Sequence, residues 1–427
     1  MILITENIQQ RETTASERRA SHVNASAVHA LEVSIGVVGH VDHGKTSLVQ
    51  ALTGKWASTY SEELKRGITI RLGYADAKFY RCPNDKRYCS TEKCPKCMGD
   101  TESVRAVSFV DAPGHETLMA TVLSGSALMD GALLVISAGE KCPRPQTAEH
   151  LKALEVAGID KIVVVQNKID SVSEERALES YKEIKEFVKG TIAEDAPIIP
   201  VSALHNANID ILIETIEDVI KTPKRDLKEE PVFFAARSFD VNKPGTEIEK
   251  LRGGVLGGSM SQGTIQKGDE IEIMPGINYK GTYKPLRTKI SGVVQMNKSV
   301  NEAHQGGLVA LETTLDPSLT RGDLLAGNMV GVPGKMPECK DAIKFKPSLF
   351  DHVIGLSGQS KIPPIKTGDA LLMTHAVEKT VGVVTSGAEK SVEVKLKIPL
   401  CVKKGDKIAV SRQAEGRWHL IGWGEIL

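Results

Sequence analysis

Long apolar runs are missing from this sequence of 427 residues. No stretch approaches the roughly 18 uninterrupted apolar residues that a membrane-spanning helix needs, so we expect no membrane partner. Hydrophobic residues make up 41% of the chain and charged residues 25%, which are the proportions of globular proteins. At ordinary domain sizes this length predicts about two to four domains, each with its own core.

A charge excess is missing as well, because 54 Lys and Arg balance 54 Asp and Glu. The overall charge therefore identifies no partner, and a nucleic acid would have to bind to local basic patches. The segment from Asp341 to the end of the chain shows a small basic bias, with 13 Lys and Arg against 9 Asp and Glu.

The amino terminus lacks the features of a targeting signal. No apolar segment follows Met1–Thr5 in the first 30 residues, and Glu6, Glu12 and Glu17 argue against an acid-poor transit peptide. We therefore expect residues 1–32 to form a flexible tail and the protein to be cytoplasmic.

Apolar β-branched runs alternate with amphipathic helical patterns over residues 33–222. Continuous Val and Ile runs are typical of strands buried on both faces, so this alternation predicts an α/β domain with a mostly parallel sheet covered by helices. After a charged linker, residues 231–332 and residues 336–427 contain short strand-like segments separated by glycine. Each of these two regions is predicted to form a β-barrel domain.

A glycine-rich loop follows the first predicted strand. It runs from Gly39 to Thr46, reads GHVDHGKT and fits the pattern G-x-x-x-x-G-K-[ST], with a helical pattern directly after it. Backbone N–H groups of such a loop bind phosphate oxygens, Lys45 would neutralise the β- and γ-phosphates, and the Thr46 hydroxyl would bind Mg²⁺. The sequence thus predicts a phosphate-binding loop, or P-loop.

Two further motifs predict which base is bound. The segment Asn167–Asp170 (NKID) follows a buried strand, and the Asp170 carboxylate can accept hydrogen bonds from N1–H and the 2-amino group of guanine. Adenine offers an acceptor at N1 instead, so Asp170 would select guanine. Ser202–Leu204 follows a later strand and is expected to place a backbone N–H on guanine O6.

A switch that responds to the γ-phosphate is predicted at Asp111–His115, which ends another apolar strand. Asp111 suits the Mg²⁺ site directly or through water, and the Gly114 N–H would bind the γ-phosphate in a loop that moves when this phosphate leaves. His115 is placed to orient the attacking water. Upstream, the RGITI segment lies where a first switch is expected, with Thr69 as a second hydroxyl ligand of Mg²⁺.

Cysteine is scarce but concentrated, since four of the 7 cysteines lie in one short segment. In a chain without a secretory signal this cluster predicts a metal site rather than disulfides. Its members are Cys82, Cys89, Cys94 and Cys97. The remaining cysteines are isolated and expected to be inert: Cys142, Cys339 and Cys401.

These motifs, in this order and ahead of two β domains, closely resemble the translational GTPases, whose founding plan is that of elongation factor Tu. Within that class, the segments SEELKRGITI, FVDAPGHETLMATVLSG, RSFDVNKPGT and SRQAEGRWHLIGWG are similar to the gamma subunit of archaeal or eukaryotic translation initiation factor two. The resemblance covers about residues 33–427. It implies a P-loop GTPase domain followed by two β-barrel domains. It also implies that the protein binds GTP and methionylated initiator tRNA, works with alpha and beta subunits, and delivers the tRNA to the small ribosomal subunit.

Carried over position by position, the resemblance assigns roles to particular residues. It implies contacts to GTP from Asp42, His43, Gly44, Lys45, Thr46, Ser47, Gly114, Asn167, Lys168, Asp170, Ser202, Ala203 and Leu204. It implies Mg²⁺ at Thr46, at Thr69 and, through water, at Asp111, and a second Mg²⁺ at Asp42 and Gly67. It makes His115 the catalytic, water-orienting residue behind an apolar gate of Val41 and Ile68. Candidate contacts to tRNA are Arg237, Arg412 and Arg417.

The resemblance also implies a small zinc knuckle between the two switches, usually built from two CxxC pairs. Here the sequence departs from the family, because it reads Cys82-Pro-Asn-Asp85 and its next cysteine is Cys89. We expect Cys82, Cys89, Cys94 and Cys97 to bind one Zn²⁺ in an altered geometry. The alternative is a group of reduced surface thiols.

Three other functions share the nucleotide motifs. The first is an elongation-type carrier of selenocysteyl-tRNA, against which the knuckle-like insert and the RSFDVNKPG and GRWHLIGWG segments argue. The second is the GTPase subunit of a sulfate-activating enzyme, which would not need a basic third domain. The third is a scaffold that binds GTP without turnover.

Overall fold

The computed structural model describes residues 31–55, 72–114, 119–352, 362–388, 390–414 and 416–427. Within these ranges, the amino-terminal domain contains a sheet of strands β1 (Val33–Gly39), β2 (Gly73–Arg81), β3 (Tyr88–Cys89), β4 (Glu102–Asp111), β5 (Gly131–Ser137), β6 (Ile162–Asn167) and β7 (Ile198–Pro200). Their order is β3-β2-β4-β1-β5-β6-β7. Only the β2–β3 and β2–β4 pairs of this sheet are antiparallel, so the predicted mostly parallel sheet is confirmed.

Helices cover both faces of this sheet. They are α1 (Lys45–Thr53), α2 (Met119–Ser126), α3 (Pro145–Ala157), α4 (Glu174–Val188) and α5 (Ile209–Val219). α1 and α5 pack on one face through residues such as Leu52 and Leu212, and α2, α3 and α4 pack on the other through residues such as Leu154. Every residue of β1, β5 and β6 is buried, which explains their continuous apolar runs.

The carboxyl ends of the parallel strands bring the predicted motifs to one edge of the sheet. β1 ends at Gly39, β4 at Asp111 and β6 at Asn167. The register pairs Val37 with Asp111 and Ser137 with Asn167. The loops that follow β1, β4, β6 and β7 therefore meet at this edge, where α/β sheets bind their ligands.

The second domain is a β-barrel. Its strands are β8 (Val232–Phe239), β9 (Val255–Gln262), β10 (Thr264–Gln266), β11 (Glu270–Tyr279), β12 (Thr282–Gln295), β13 (Lys298–Val300), β14 (Glu302–His304), β15 (Leu308–Thr313) and β16 (Asn328–Gly331). Strands follow each other in the order β11-β16-β8-β9-β15-β12, and the β11–β12 pairing closes the ring. Phe233, Ile273 and Leu311 are among the side chains that fill it.

The third domain is a second closed barrel, as predicted. Its strands are β17 (Cys339–Leu349), β18 (Ala370–His375), β19 (Glu378–Ala388), β20 (Ser391–Cys401), β21 (Lys407–Ala414) and β22 (Arg417–Ile426). They close in the order β17-β20-β19-β18-β21-β22 around a core that includes Phe345 and Met373.

Cys339 and Cys401 correct one expectation from the sequence. They lie directly opposite each other in the antiparallel pair β17 and β20 and form a disulfide, whereas the sequence indicates two isolated, inert thiols. The two residues are 62 positions apart, so their spacing shows no sign of the pairing. The register of the two strands alone brings them together.

The predicted tail of residues 1–32 falls outside the described residues except for its last two. The Leu31 side chain is completely buried, and the Glu32 N–H donates a 3.0 Å hydrogen bond to the Ala106 carbonyl oxygen, so both belong to the folded domain. Over the described ranges, none of the helices has the length and apolar character needed to cross a membrane.

Candidate nucleotide-binding site

The predicted phosphate-binding loop connects β1 to α1. Gly39 and Gly44 have φ angles of 140° and 86°, in a region that favours glycine. Gly44 is the N-cap of α1 and, having no side chain, does not cap the first N–H groups of this helix. These N–H groups, together with the helix dipole, form a site for an anion.

Lys45 supplies positive charge to this loop. Its side chain is 6% exposed, and its Nζ donates a 2.7 Å hydrogen bond to the His40 carbonyl oxygen. Burial lowers the pKa of Lys45 to about 8, while the nearby carboxylates of Asp111 and Asp42 oppose that effect. The amino group is thus held within the loop. A phosphate bound there would raise the pKa of Lys45 again and favour the charged amine.

Thr46 and Asp111, two of the predicted Mg²⁺ ligands, lie side by side. Thr46 Oγ1 donates a 2.6 Å hydrogen bond to Asp111 Oδ2, and the Asp111 side chain is completely buried. A hydroxyl and a carboxylate are hard oxygen donors, so this pair fits Mg²⁺. Thr69 and Gly67, the further predicted ligands, lie outside the described residues.

Gly114 packs directly against the loop. A β-carbon on this residue would lie 2.7 Å from the Val41 nitrogen and 2.9 Å from the His40 carbonyl carbon, so only glycine fits. This approach explains why the motif that follows β4 carries a glycine here. His115, and Ile68 of the predicted gate, lie outside the described residues.

Asn167 joins the base-recognition loops to the phosphate-binding loop. Its Nδ2 donates a 3.0 Å hydrogen bond to the His43 carbonyl oxygen, and its Oδ1 accepts a 3.1 Å hydrogen bond from the Ala203 N–H. Lys168 follows with a left-handed φ of 63°, and its Cε lies 3.7 Å from the β-carbon position on Gly44. Three of the predicted motifs are therefore in direct contact.

The Asp170 carboxylate lies at the same edge, with 26% of its side chain exposed. A hydrogen bond with the Ser202 side chain is the main cause that lowers the pKa of Asp170, and His205 Nε2 lies 3.8 Å from its Oδ2. The carboxylate is therefore ionised at neutral pH and can accept both N–H groups of a guanine edge. Leu204 is 77% exposed in the adjacent loop.

Two buried histidines support the phosphate-binding loop from the sheet side. His43 Nδ1 lies 3.0 Å from the Val135 carbonyl oxygen, so only the backbone of this residue is available to a phosphate. On α3, His150 Nδ1 accepts a 2.9 Å hydrogen bond from the Gly39 N–H. Burial lowers the pKa of each histidine to about 3, so both rings are neutral. His150 could not be identified from the sequence, because a histidine on a buried helix face has no motif of its own.

The cysteine cluster contains three of its four predicted members. The Sγ atoms of Cys82, Cys94 and Cys97 lie within 4.8 Å of one another, and three thiols at such separations fit a tetrahedral Zn²⁺ site. Cys89 does not belong to this group: it lies in β3, and its Sγ donates a 3.4 Å hydrogen bond to the Thr91 carbonyl oxygen. The three clustered thiols do not include Cys89, which pairs with Tyr80 of β2, so Cys89 stays a predicted ligand that the structure does not group with the others.

The predicted tRNA-binding arginines differ in their surroundings. Arg237 Nε donates a 2.9 Å hydrogen bond to Asp323 Oδ1. Arg412 binds Asp369 Oδ2 over 3.0 Å and also donates to two carbonyl oxygens of the neighbouring loop. Arg417 lies exposed at the start of β22. RNA phosphates would therefore have to compete with Asp323 for Arg237 and with Asp369 for Arg412.

Comparison with protein families matches all three domains. The elongation factor Tu GTP binding domain matches residues 31–222, elongation factor Tu domain 2 matches residues 253–327, and the C-terminal domain of initiation factor eIF2 gamma matches residues 341–426. The translation initiation factor 2 subunit gamma of Methanocaldococcus jannaschii is 55% identical over 399 residues, or 92% of this chain and 97% of the relative. The protein of the same name from Archaeoglobus fulgidus is 56% identical over 405 residues, or 94% and 96%.

Two solved structures share the fold. A bacterial selenocysteine-specific elongation factor superposes with a TM-score of 0.71 at 24% identity, covering 93% of this chain and 58% of that one. Translation elongation factor SelB from Methanococcus maripaludis, solved with a GTP analogue, has a TM-score of 0.68 at 21% identity, covering 93% and 79%. At these identities the likeness extends to the fold alone.

Proposed function

Because the chain belongs to the family of translation initiation factor 2 gamma subunits and is a translational GTPase, we propose that its GTP-bound form binds methionylated initiator tRNA. It delivers this tRNA to the small ribosomal subunit and is released after GTP hydrolysis. It works in the cytoplasm as one part of a heterotrimer with alpha and beta subunits. Identity to relatives of this name over 92% of the chain supports the proposal, since that length includes both barrels.

The nucleotide occupies the edge of the sheet at which the motifs meet. The backbone N–H groups of residues 42–47 and the Lys45 side chain bind the phosphates, and the N–H of Gly114 binds the γ-phosphate. Asp170 selects guanine, and the backbone of Ser202–Leu204 contacts its O6. The observation that carries this part of the proposal is the pair of hydrogen bonds by which Asn167 joins the two halves of the site.

Thr46 and Thr69 would hold Mg²⁺ directly, and Asp111 through water. Bound there, the ion supplies positive charge to the β- and γ-phosphate oxygens. A second Mg²⁺ at Asp42 and the Gly67 carbonyl stays a prediction from the resemblance.

Hydrolysis requires that charge on the γ-phosphate oxygens be stabilised and that a water molecule be aligned behind the phosphorus. Lys45 and the N terminus of α1 stabilise this charge. The hydrogen bond from Lys45 Nζ to the His40 carbonyl oxygen of the loop supports this role. His115 orients the attacking water, and Val41 with Ile68 limits access to it. We expect His115→Ala to keep its affinity for GTP but to lose on the order of 100-fold in ribosome-stimulated hydrolysis. A loss of less than about threefold would assign the water to another group.

The tRNA part of the proposal is tested by filter binding of the full chain. Methionylated initiator tRNA and an elongator tRNA are each titrated with GTP or GDP present, with and without an alpha-type subunit. We expect tight binding of the initiator tRNA in the GTP arms and much weaker binding in the GDP and elongator arms. Equal binding of elongator tRNA would indicate an elongation-type carrier, and GTP hydrolysis without tRNA binding would indicate a metabolic GTPase.

We also propose that Cys82, Cys94 and Cys97 bind one Zn²⁺, which stabilises a segment too small to have a core of its own. Elemental analysis of the protein purified without chelator should give about one zinc per chain, lost in Cys94→Ser while GTP binding is kept.

A further inference from the structure

The cysteine segment contains two turns with the same pattern. Cys82-Pro-Asn-Asp85 and Cys94-Pro-Lys-Cys97 both begin with Cys-Pro. Each is followed by a residue in the left-handed region, with a φ of 60° at Lys86 and 58° at Met98. Only a few per cent of non-glycine residues adopt this conformation, so its recurrence at the same place indicates one turn type used twice.

Backbone hydrogen bonds repeat in the same way. The Cys82 N–H donates to the Arg87 carbonyl oxygen over 2.8 Å, and the Cys94 N–H donates to the Gly99 carbonyl oxygen over 2.9 Å. Each bond spans five residues and closes its turn around the side chain at the fourth position. That side chain is the Asp85 carboxylate in the first turn.

The side chains at the fourth positions also have equivalent partners. The Arg87 N–H donates a 3.1 Å hydrogen bond to Asp85 Oδ1, two residues before it. In the second turn, the Cys97 sulfur lies against Gly99, again two residues on, at 3.3 Å from the position that a β-carbon would take on this glycine. Asp85 therefore occupies in one turn the place that a cysteine occupies in the other.

Two pairs of side-chain ends lie at distances close to those around a single ion. Tetrahedral Zn²⁺, with bonds of about 2.3 Å to sulfur and 2.0 Å to oxygen, separates two sulfurs by about 3.8 Å and a sulfur from an oxygen by about 3.5 Å. The Cys82 and Cys97 sulfurs are 3.5 Å apart. The Cys94 sulfur lies 3.8 Å from Asp85 Oδ2 and 3.9 Å from Oδ1.

We infer that Asp85 is the fourth ligand of the metal site, which is therefore a three-thiolate, one-carboxylate site for Zn²⁺. This inference rests on the proposed zinc site. It assigns Asp85 to the fourth ligand position, which is left open when Cys82, Cys94 and Cys97 occupy the other three. Carboxylate oxygen is an accepted ligand of Zn²⁺, and with three thiolates it supplies the same total charge as four thiolates. Arg87 Nε lies 3.6 Å from Asp85 Oδ2 and would hold the carboxylate in place from outside the site.

The test compares the full-length protein with three variants: Asp85→Asn, Asp85→Cys and Cys89→Ser. The metal is removed with a chelator under reducing conditions, and Zn²⁺ affinity is measured by competition with a chromophoric chelator. Asp85→Asn keeps an oxygen that can accept the Arg87 N–H but loses the anionic ligand, so a purely structural role of Asp85 would leave affinity unchanged. GTP binding, measured in parallel, shows that each variant is folded.

We expect Asp85→Asn to bind Zn²⁺ at least about 100-fold more weakly than the unmodified protein, and Cys89→Ser to bind it equally well. Replacement of the metal by Co²⁺ gives a second readout, because sulfur-to-cobalt charge-transfer absorption grows with the number of thiolate ligands. That absorption should be the same in Cys89→Ser as in the unmodified protein, and stronger in Asp85→Cys.

Two results would overturn the inference while leaving a zinc site in place. If Cys89→Ser loses the metal and Asp85→Asn keeps it, the fourth ligand is Cys89 and not Asp85. Unchanged affinity and absorption in Asp85→Asn would show that water or no ligand occupies the fourth position. If the unmodified protein binds GTP but no Zn²⁺, the proposed zinc site fails and the inference fails with it.

Discussion

The side-chain nitrogen of Asn167 lies 2.4 Å from the position that a β-carbon would take on Gly44. The same amide donates to the His43 carbonyl oxygen and accepts from the Ala203 N–H, and both bonds are buried. The loop that recognises the base is thereby packed onto the loop that binds phosphate. Neither loop can move without breaking these contacts.

We expect Asn167→Ala to weaken the binding of GTP and GDP together, by about 100-fold, because two buried backbone groups lose their partner at about 1–3 kcal/mol each. Gly44→Ala should be at least as damaging, since its φ of 86° is strained for alanine and the new methyl group would displace the Asn167 amide. Titration with a fluorescent GDP analogue measures both effects. Unchanged affinity in Asn167→Ala would contradict the role given to this amide.

Asp170→Asn should change base specificity rather than abolish binding. The amide of the variant can donate to the 2-oxo group of xanthine, so affinity should fall for GTP and rise for xanthosine triphosphate. Competition between the two triphosphates measures the change. Ser202→Ala is the matched variant, because it removes the hydroxyl that lowers the pKa of Asp170 but leaves the carboxylate, and it should retain the preference for GTP. A preference for GTP in Asp170→Asn as strong as in the unmodified protein would rule out the assignment.

The buried His150 ring, which accepts a hydrogen bond from the Gly39 N–H, should make the stability of the GTPase domain depend on pH. Its pKa of about 3 in the folded protein lies below the ordinary value of 6.5, so its contribution to stability is complete above pH 6.5 and is lost as the pH falls towards 3. Lowering the pH from 7 to 5 should therefore cost the GTPase domain about 2 kcal/mol of unfolding free energy through this one group.

The variant His150→Phe should lack this pH-dependent loss of stability. It should also bind nucleotide about tenfold more weakly, because the Gly39 N–H then has no acceptor. Urea unfolding at the two pH values tests the first effect, and a nucleotide titration tests the second. An equal loss of stability in both proteins would exclude His150 as the source.

The third domain should respond to pH in the opposite direction. Burial opposes a charge on His375, but hydrogen bonds to Asp406 and Glu378 outweigh it and raise the pKa of His375 to about 9. Burial also raises the pKa of Glu378 to about 7, so the folded domain holds protons more tightly than the unfolded chain does. The contribution of His375 is complete below pH 6.5 and is lost as the pH rises through 9.

We therefore expect the third domain to lose about 3 kcal/mol of unfolding free energy between pH 6.5 and pH 9.5. Trp418 and Trp423 lie in β22, so tryptophan fluorescence during urea unfolding reports mainly on this domain, which contains two of the 3 tryptophans of the chain. His375→Gln should flatten this dependence. A profile of the same steepness in the variant would place the responsible group elsewhere.

Much of this architecture was predictable because it depends on local pattern. Continuous apolar runs mark strands buried on both faces, as in β1, β5 and β6, and glycine-punctuated segments mark the two barrels. The nucleotide motifs were equally readable, since each is a short loop directly after a strand. The parallel arrangement of these strands brings such loops to a common edge.

Contacts between distant segments were decided only by the tertiary structure. The disulfide of Cys339 and Cys401 depends on a strand register that no spacing encodes. His150 reaches Gly39 because α3 packs against β1. Cys89 lies in β3 and is not part of the group formed by the other three thiols. A sequence specifies which side chains are present and how each segment folds. Which of them meet depends on packing among elements far apart along the chain, where one residue of register changes the partner.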